Sequence, residues 1–204
     1  MSLSLDQVFE LIDKVVIYLS QDSWMDKWKI QKGLFYYLWL YSIQQKIDFN
    51  EIIRKIEIHP DKQGPYSIAI DGEVESLIKD GYLEVKNPDS KDILIKASRL
   101  GRDNYLDDIS EEEEAYLSSI KDLVEKLESD QVIFFIYFNP YIPNEIKDYF
   151  ISKSEIKDNL LRNKDRYIKK LLDTNIIDEI TASKINKLAS KPIWHTLGYW
   201  MRIF

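Results

Sequence analysis

Apolar residues recur every three or four positions along most of this chain, as they do on the buried side of α-helices. The clearest example spans residues 5–20, where the other side is polar and a turn follows at 21–23. Because this spacing dominates, we predict a mainly α fold. The predicted helices span about residues 5–20, 26–46, 48–56, 67–80, 98–107, 110–127, 154–173, 181–189 and 192–203.

Two short runs, residues 82–86 and 92–96, are instead typical of β-strands, and an Asn-Pro-Asp-Ser turn joins them. In the second run the alternation of Ile93 and Ile95 with their neighbours makes one face apolar. Helix, strand, turn and strand is the order of a winged-helix unit. We therefore predict a mainly α fold with a small β-hairpin, in which a winged-helix-like N-terminal half, residues 1–109, precedes a helical region, residues 110–204.

The second predicted helix is apolar or aromatic on every side between Gly33 and Tyr41. A helix of this kind is surrounded by protein, so we interpret it as the centre of the core. An aromatic platform for stacking bases would need interleaved basic residues, which the helix lacks after Lys32. The run at 132–138 has strand-like composition, yet a short buried helix fits equally well.

The sequence makes specific predictions for two further helices. The helix at 98–107 is predicted to turn Leu100 and Leu106 inward. The next helix begins at Ser110, which with Glu113 matches a capping box. Four consecutive Glu follow Ser110, and a metal site is one interpretation of them. We favour capping, because consecutive side chains point in different directions around a helix and carboxylates are favoured at its N-terminus.

The amino-acid composition excludes several classes of function. The chain has no Cys, which excludes disulfides, thiolate zinc sites and a cysteine nucleophile. The absence of Cys also fits a reducing cytosol, so we expect a cytoplasmic protein. No apolar run approaches the ~20 residues that span a bilayer, so we expect no membrane partner. The net charge of −7 is unevenly divided, since residues 1–146 hold 16 basic and 28 acidic residues and residues 147–204 hold 12 and 7. A polyanion would therefore favour the C-terminal quarter.

Residues 29–37, 64–67, 77–84 and 97–106 carry short motifs, within about residues 27–107, that resemble those of the Panacea-domain family of phage-associated and antitoxin-type prokaryotic proteins. The segment 29–37, Lys-Ile-Gln-Lys-Gly-Leu-Phe-Tyr-Tyr, resembles the family's "LQKLLYY" helix. Residues 64–67, Gly-Pro-Tyr-Ser, resemble its "YGPYS" turn, except that Gln63 replaces the first Tyr. The segments 77–84 and 97–106 are similar to "L…GLIE" and "LTEKGREYL". The resemblance implies a helical, winged-helix-like fold without catalysis, which acts by binding other proteins, and it favours a helix at 132–138.

The predicted helix 67–80 has the wrong charge for a DNA recognition helix. Residues 66–80 carry four acidic residues against Lys79 alone, and phosphates in a groove would repel them. We therefore expect this helix to be a scaffold or an acidic face for a basic protein partner. The candidate protein-contact residues are Tyr66, Asp71, Glu73 and Glu75. For Gly64–Ser67 itself we favour simple turn chemistry over a contact patch at Tyr66.

The basic C-terminal helices support an alternative function, a DNA-binding transcriptional regulator. Acidic residues are interspersed there, and such a charge run is also typical of a solvated helix face. The candidate nucleic-acid contacts are Arg162, Lys164, Arg166, Lys169, Lys170, Lys184 and Lys187.

Catalysis has little support in the sequence. His59 precedes a proline in a predicted loop, and His195 sits beside Trp194. The chain has no Gly-rich phosphate loop, nucleophile elbow or His-rich metal spacing. We therefore expect a non-enzymatic protein with no cofactor, no metal and no catalytic residues.

Overall fold

The structure is a computed structural model of the 204-residue chain, and it describes residues 3–61, 64–90, 92–144, 146–147 and 156–190. Within these ranges the protein is mainly helical, with ten helices and a small antiparallel sheet. The helices are α1 (Leu5–Leu19), α2 (Lys27–Gln44), α3 (Phe49–Lys55), α4 (Ile68–Lys79), α5 (Arg99–Tyr105), α6 (Glu111–Lys126), α7 (Ser129–Phe138), α8 (Lys157–Arg162), α9 (Lys164–Asp173) and α10 (Glu179–Ala189).

Five short strands accompany the helices within the described ranges. They are β1 (Met25–Asp26), β2 (His59–Asp61), β3 (Gly64–Tyr66), β4 (Leu83–Lys86) and β5 (Leu94–Ala97). The predicted hairpin is confirmed, because β4 and β5 pair antiparallel with Val85 opposite Ile95. β1 adds to the other edge of β5, which gives the strand order β1-β5-β4, and β2 and β3 form a separate two-stranded sheet.

The described chain divides into two compact units. The first contains the residues up to His59 together with Pro65–Val132, and the second contains the described part of 60–64 and the described residues from Ile133 onward. The predicted boundary at residues 109/110 falls inside the first unit, where α6 packs against α1 and α2.

The core of the first unit is built around α2, as its all-round apolar composition predicts. Ile30, Leu34 and Leu38 are fully buried there. Gly33 allows α6 to approach closely, since a Cβ at this position would lie 2.8 Å from Val124 Cγ1. The absence of a side chain at Gly33 thus sets how tightly α2 and α6 pack.

The second unit has a core of its own. The run at 133–138 is part of helix α7, as the resemblance implied, and its side chains are buried. The Phe134 ring lies 4.9 Å from that of Phe138 and 5.4 Å from that of Tyr167 on α9, measured between centroids. α9 and α10 pack against each other in the same unit.

Two predictions about the helices are wrong. The single helix predicted at 154–173 is divided into α8 and α9 at Asn163, whose backbone leaves the helical region at φ −100° and ψ 9°. Leu100 does not face inward, since half of its surface is exposed. Gly101 is buried instead. The backbone of Tyr82 lies so close to it that a Cβ at this position would be 2.4 Å from the Tyr82 carbonyl oxygen. The helix predicted at 192–203 lies outside the described residues.

Candidate functional site

The first two turns of α2 face the Pro-Tyr-Ser segment at residues 65–67, so two of the motifs that carry the resemblance meet in space. Asp26 caps α2 by accepting hydrogen bonds from the backbone N–H groups of Trp28 and Lys29. Gly64 has a φ of +99°, a value that favours glycine, and it directs the chain into Pro65. Ser67 then caps α4 by accepting from the Ile70 N–H, as predicted. Turn chemistry therefore accounts for Gly64 and Ser67.

Lys32 is the least expected residue at this meeting point. Its side chain is 1% exposed, and its Nζ donates a hydrogen bond of 2.6 Å to the Pro65 carbonyl oxygen. The same Nζ lies 5.6 Å from the centre of the Trp28 ring. An ammonium donor forms a stronger hydrogen bond than a neutral donor. This hydrogen bond therefore links α2 to the turn.

Asp71 on α4 gathers three further side chains. It accepts hydrogen bonds from Gln31 Nε2 at 2.6 Å and from the Tyr66 hydroxyl at 2.9 Å, and its carboxylate lies 3.1 Å from Lys27 Nζ. Gln31 also accepts from the backbone N–H of Ser67 at 3.3 Å. Two predicted protein contacts, Tyr66 and Asp71, are therefore engaged inside the molecule, and this network holds α2, the turn and α4 together.

The Tyr66 ring also packs between two other rings. Its centroid lies 5.4 Å from that of Trp28 and 5.6 Å from that of His59, which meets it edge-on. His59 is the first residue of strand β2, so its predicted place in a loop is wrong. Its Nδ1 lies 3.0 Å from the Glu57 carbonyl oxygen. His195 lies outside the described residues.

The outer face of α4 is open. Ile68 is 67% exposed, and a Cβ built on Gly72 would have no atom within 4 Å. The exposed residues of this face repeat every three or four positions, as one side of a helix does. They are Ile68, Gly72, Glu75, Ser76 and Lys79. Of the predicted contact residues, Glu75 thus lies on this face, whereas Glu73 is half-buried.

Glu73 belongs to a polar cluster that sequence reasoning missed. Burial, and then the negative charge of Glu73, raises the pKa of Asp13 from 3.8 to about 7. The Tyr105 hydroxyl donates to Asp13 Oδ2 at 3.3 Å. Burial also raises the pKa of Tyr105 to about 12. A signal existed in the sequence, because Asp13 interrupts the apolar run of α1.

The predicted nucleic-acid residues lie in the second unit, on α8, α9 and α10. Lys164 is half-buried and joins α9 to α10, since its Nζ donates to Ser190 Oγ at 2.6 Å and to Asn186 Oδ1 at 3.1 Å. Lys184 lies over the Tyr141 ring, 5.2 Å from its centre. The remaining predicted residues are exposed, namely Arg162, Arg166, Lys169, Lys170 and Lys187.

Membrane-spanning helices and metal-binding clusters are both absent from the described ranges. None of the helices in the described ranges is long and apolar enough to cross a bilayer. No group of three or more His, Asp or Glu side chains in those ranges is arranged to hold a metal ion.

Comparison with known proteins finds no relative: the chain matches no protein-family model, no curated protein and no solved structure. The resemblance to the Panacea-domain family stays a prediction.

Proposed function

We propose that this chain is a non-enzymatic regulatory protein that acts by binding another protein through the outer face of α4. The observation that carries the proposal is the composition of that face. It combines an apolar side chain, Ile68, with the unfilled space above Gly72 and the carboxylate of Glu75. A glycine in the middle of an exposed helix lowers helix stability by ~1 kcal/mol, and here it leaves room for a partner to approach the backbone.

Charge favours a basic protein over a nucleic acid as the partner of α4. Residues 66–80 have four acidic residues and one basic residue. The internal ion pair of Asp71 with Lys27 leaves two exposed carboxylates, Glu75 on the outer face and Asp80 at the C-cap of α4, against the single cation of Lys79. Phosphates would be repelled by this face, whereas lysine and arginine side chains would be attracted to it.

The arrangement around α4 supports a winged-helix-like unit. α4 is followed by β4, a turn and β5, and the two strands pair antiparallel. In winged-helix proteins such a helix usually enters the major groove. Here its acidic character suits a scaffold or a protein contact instead. Together with the resemblance to the Panacea-domain family, this supports an antitoxin-like or phage-associated regulator in the cytoplasm.

Charge reversal combined with crosslinking tests the proposal. The full chain carries a photo-crosslinking residue at Ser76 and is expressed in the cells that encode it. Crosslinks to one discrete, basic protein are expected, and Glu75→Lys with Asp80→Lys should abolish them. The matched control is Glu111→Lys with Glu114→Lys, two exposed carboxylates on α6, which should leave the crosslinks intact. Equal crosslinking by both double variants would contradict the proposal.

A second candidate function, DNA binding by the basic helices, rests on the exposed cations of α9 and α10. The described residues 156–190 contain eight basic and five acidic residues, and Arg166, Lys169 and Lys170 are exposed on α9. A gel shift with duplex DNA distinguishes this candidate. It predicts binding that weakens steeply with salt and is lost when Arg166, Lys169 and Lys170 become Glu. No shift at low salt would exclude it.

A further inference from the structure

A cavity of about 280 Å³ lies among α1, α2 and the start of α6 in the first unit. Three tyrosines, Tyr37, Tyr41 and Tyr116, line it. Tyr37 is buried, whereas Tyr116 is 37% exposed. A cavity of ~150 Å³ is large enough for benzene, so this one has room for a small organic molecule.

The polar groups of the cavity leave an excess of negative charge. Lys14 is its one lysine, and its Nζ lies 3.3 Å from each carboxylate oxygen of Glu113. That ion pair is neutral overall, so the carboxylate of Glu112 is unbalanced. Glu112 is exposed and accepts a hydrogen bond of 2.9 Å from the Gln44 amide, a neutral donor.

Glu113, the carboxylate paired with Lys14, also acts on two of the tyrosines. The Tyr37 hydroxyl donates to Glu113 Oε1 at 3.1 Å. Burial and then the charge of Glu113 raise the pKa of Tyr37 well above its ordinary value, and the same two causes raise the pKa of Tyr41. The Tyr37 and Tyr41 hydroxyls therefore stay protonated.

Aromatic rings form part of the apolar lining of the cavity. The Tyr37 and Tyr41 rings are close to parallel, with an angle of 25° and centroids 6.0 Å apart. Aromatic faces attract cations as well as apolar groups, and the attraction is stronger where water is excluded. An ammonium group that contacts these rings would also form a charge-assisted hydrogen bond with a nearby carboxylate.

We propose that this cavity binds a small organic cation, a primary ammonium or guanidinium group on a short apolar body. The tyrosine rings would contact the body, and the carboxylate of Glu112 would pair with the charged group. A small anion is disfavoured, because the first turn of α6 carries Glu111–Glu114 and Lys14 is already paired with Glu113. This site is separate from the outer face of α4 and does not depend on it.

Two ligands that differ mainly in charge test the proposal. The full ¹⁵N-labelled chain is titrated with phenethylammonium and, in parallel, with 2-phenylethanol, which is similar in shape but neutral. We expect phenethylammonium to shift amide signals near Lys14, Tyr41 and Tyr116, with at least tenfold higher affinity than the alcohol. Equal affinities, shifts spread over the whole chain, or no shift at millimolar concentration would each overturn the proposal.

A matched pair of variants tests the role of Glu112. Glu112→Gln removes the unbalanced charge and should weaken phenethylammonium binding about fivefold or more. Glu111→Gln is the control, because Glu111 lies in the same helical turn and is exposed but does not line the cavity. Both residues are on the surface, so neither change should unfold the chain. Equal losses in the two variants would show a general charge effect and overturn the assignment to this cavity.

Discussion

At the scale of single residues, Gly72 and Gly101 have opposite surroundings although both are in helices. A Cβ at Gly72 would meet nothing within 4 Å, whereas one at Gly101 would lie 2.4 Å from the Tyr82 carbonyl oxygen and 2.9 Å from Ile17 Cδ1. A backbone oxygen cannot move aside as a flexible side chain can. The same substitution should therefore have opposite effects at the two positions.

Gly72→Ala should raise the free energy of unfolding by roughly 0.5–1 kcal/mol, because alanine favours an exposed helix interior. Gly101→Ala should lower it by roughly 1–3 kcal/mol, because the new methyl group overfills its site. Urea denaturation followed by circular dichroism measures both. A Gly101→Ala protein as stable as the wild type would show that α5 packs less closely against the Tyr82 backbone and α1 than the structure indicates.

Asp13 should make stability depend on pH. Its pKa is about 7 in the folded chain, against an ordinary value of 3.8, because burial and Glu73 disfavour its charged form. Between these values the folded chain binds more protons than the unfolded chain, so the free energy of unfolding falls as the pH rises through about 4–7. Asp13→Asn should remove this slope and stabilise the chain above pH 7 by roughly 1–2 kcal/mol, after allowance for solvent screening.

Urea titrations at pH 5 and pH 8 measure the effect. Glu75→Gln is the control, since it removes one carboxylate from the exposed face of α4 and should keep the wild-type slope. If Asp13→Asn and the wild type lose the same stability between the two pH values, another group causes the pH dependence.

At the scale of elements, α2 holds α4 and the preceding turn through a few buried polar contacts. Lys32 donates to the Pro65 carbonyl, and Gln31 links Asp71 to the Ser67 backbone. Groups buried in this way are costly to leave without partners, so each contact constrains where α4 lies. The position of the exposed face of α4 therefore depends on these buried contacts with α2.

Gln31→Leu should lower the free energy of unfolding by roughly 1–3 kcal/mol, because it removes a donor from Asp71 and an acceptor from the buried Ser67 N–H. Gln44→Leu is the matched control, since its amide donates to the exposed Glu112 at the surface, and its effect should stay within about 0.5 kcal/mol. Denaturant midpoints of the two variants measure the difference in stability. Equal losses of stability would contradict the structural role assigned to Gln31.

At the scale of the whole molecule, the chain forms two compact units with separate cores. α2 is the centre of the first, and the second contains the packed rings of Phe134, Phe138 and Tyr167. Units of this kind commonly unfold as partly independent cooperative segments.

Destabilising one unit should therefore leave exchange in the other largely unchanged. In Gly101→Ala, amide hydrogen exchange should accelerate about tenfold in α1 and α4 of the first unit, while α9 and α10 exchange within about twofold of the wild-type rate. Mass spectrometry of peptides from labelled protein measures both regions. Uniform acceleration across the chain would show a single cooperative unit.

Several features were predictable because they depend on residues close together in the chain. Helical spacing predicted α1 and α2 to within two residues, and local chemistry identified Ser67 and Ser110 as caps. Of the predicted capping box at Ser110, the structure confirms the serine half, while the Glu113 carboxylate binds Lys14 and Tyr37. The partners of that carboxylate are distant in sequence, and no local sequence pattern predicts such contacts.

By itself, the sequence determined the mainly helical class, the hairpin at β4 and β5, and the central position of α2. Periodicity, propensity and turn chemistry act over a few residues, so they can be read directly. Only the tertiary structure decided that Gly101 rather than Leu100 is buried, that Lys32 lies in the core and that Asp13 meets Glu73. These outcomes depend on which distant backbone or charge lies opposite each side chain, and packing alone settles that.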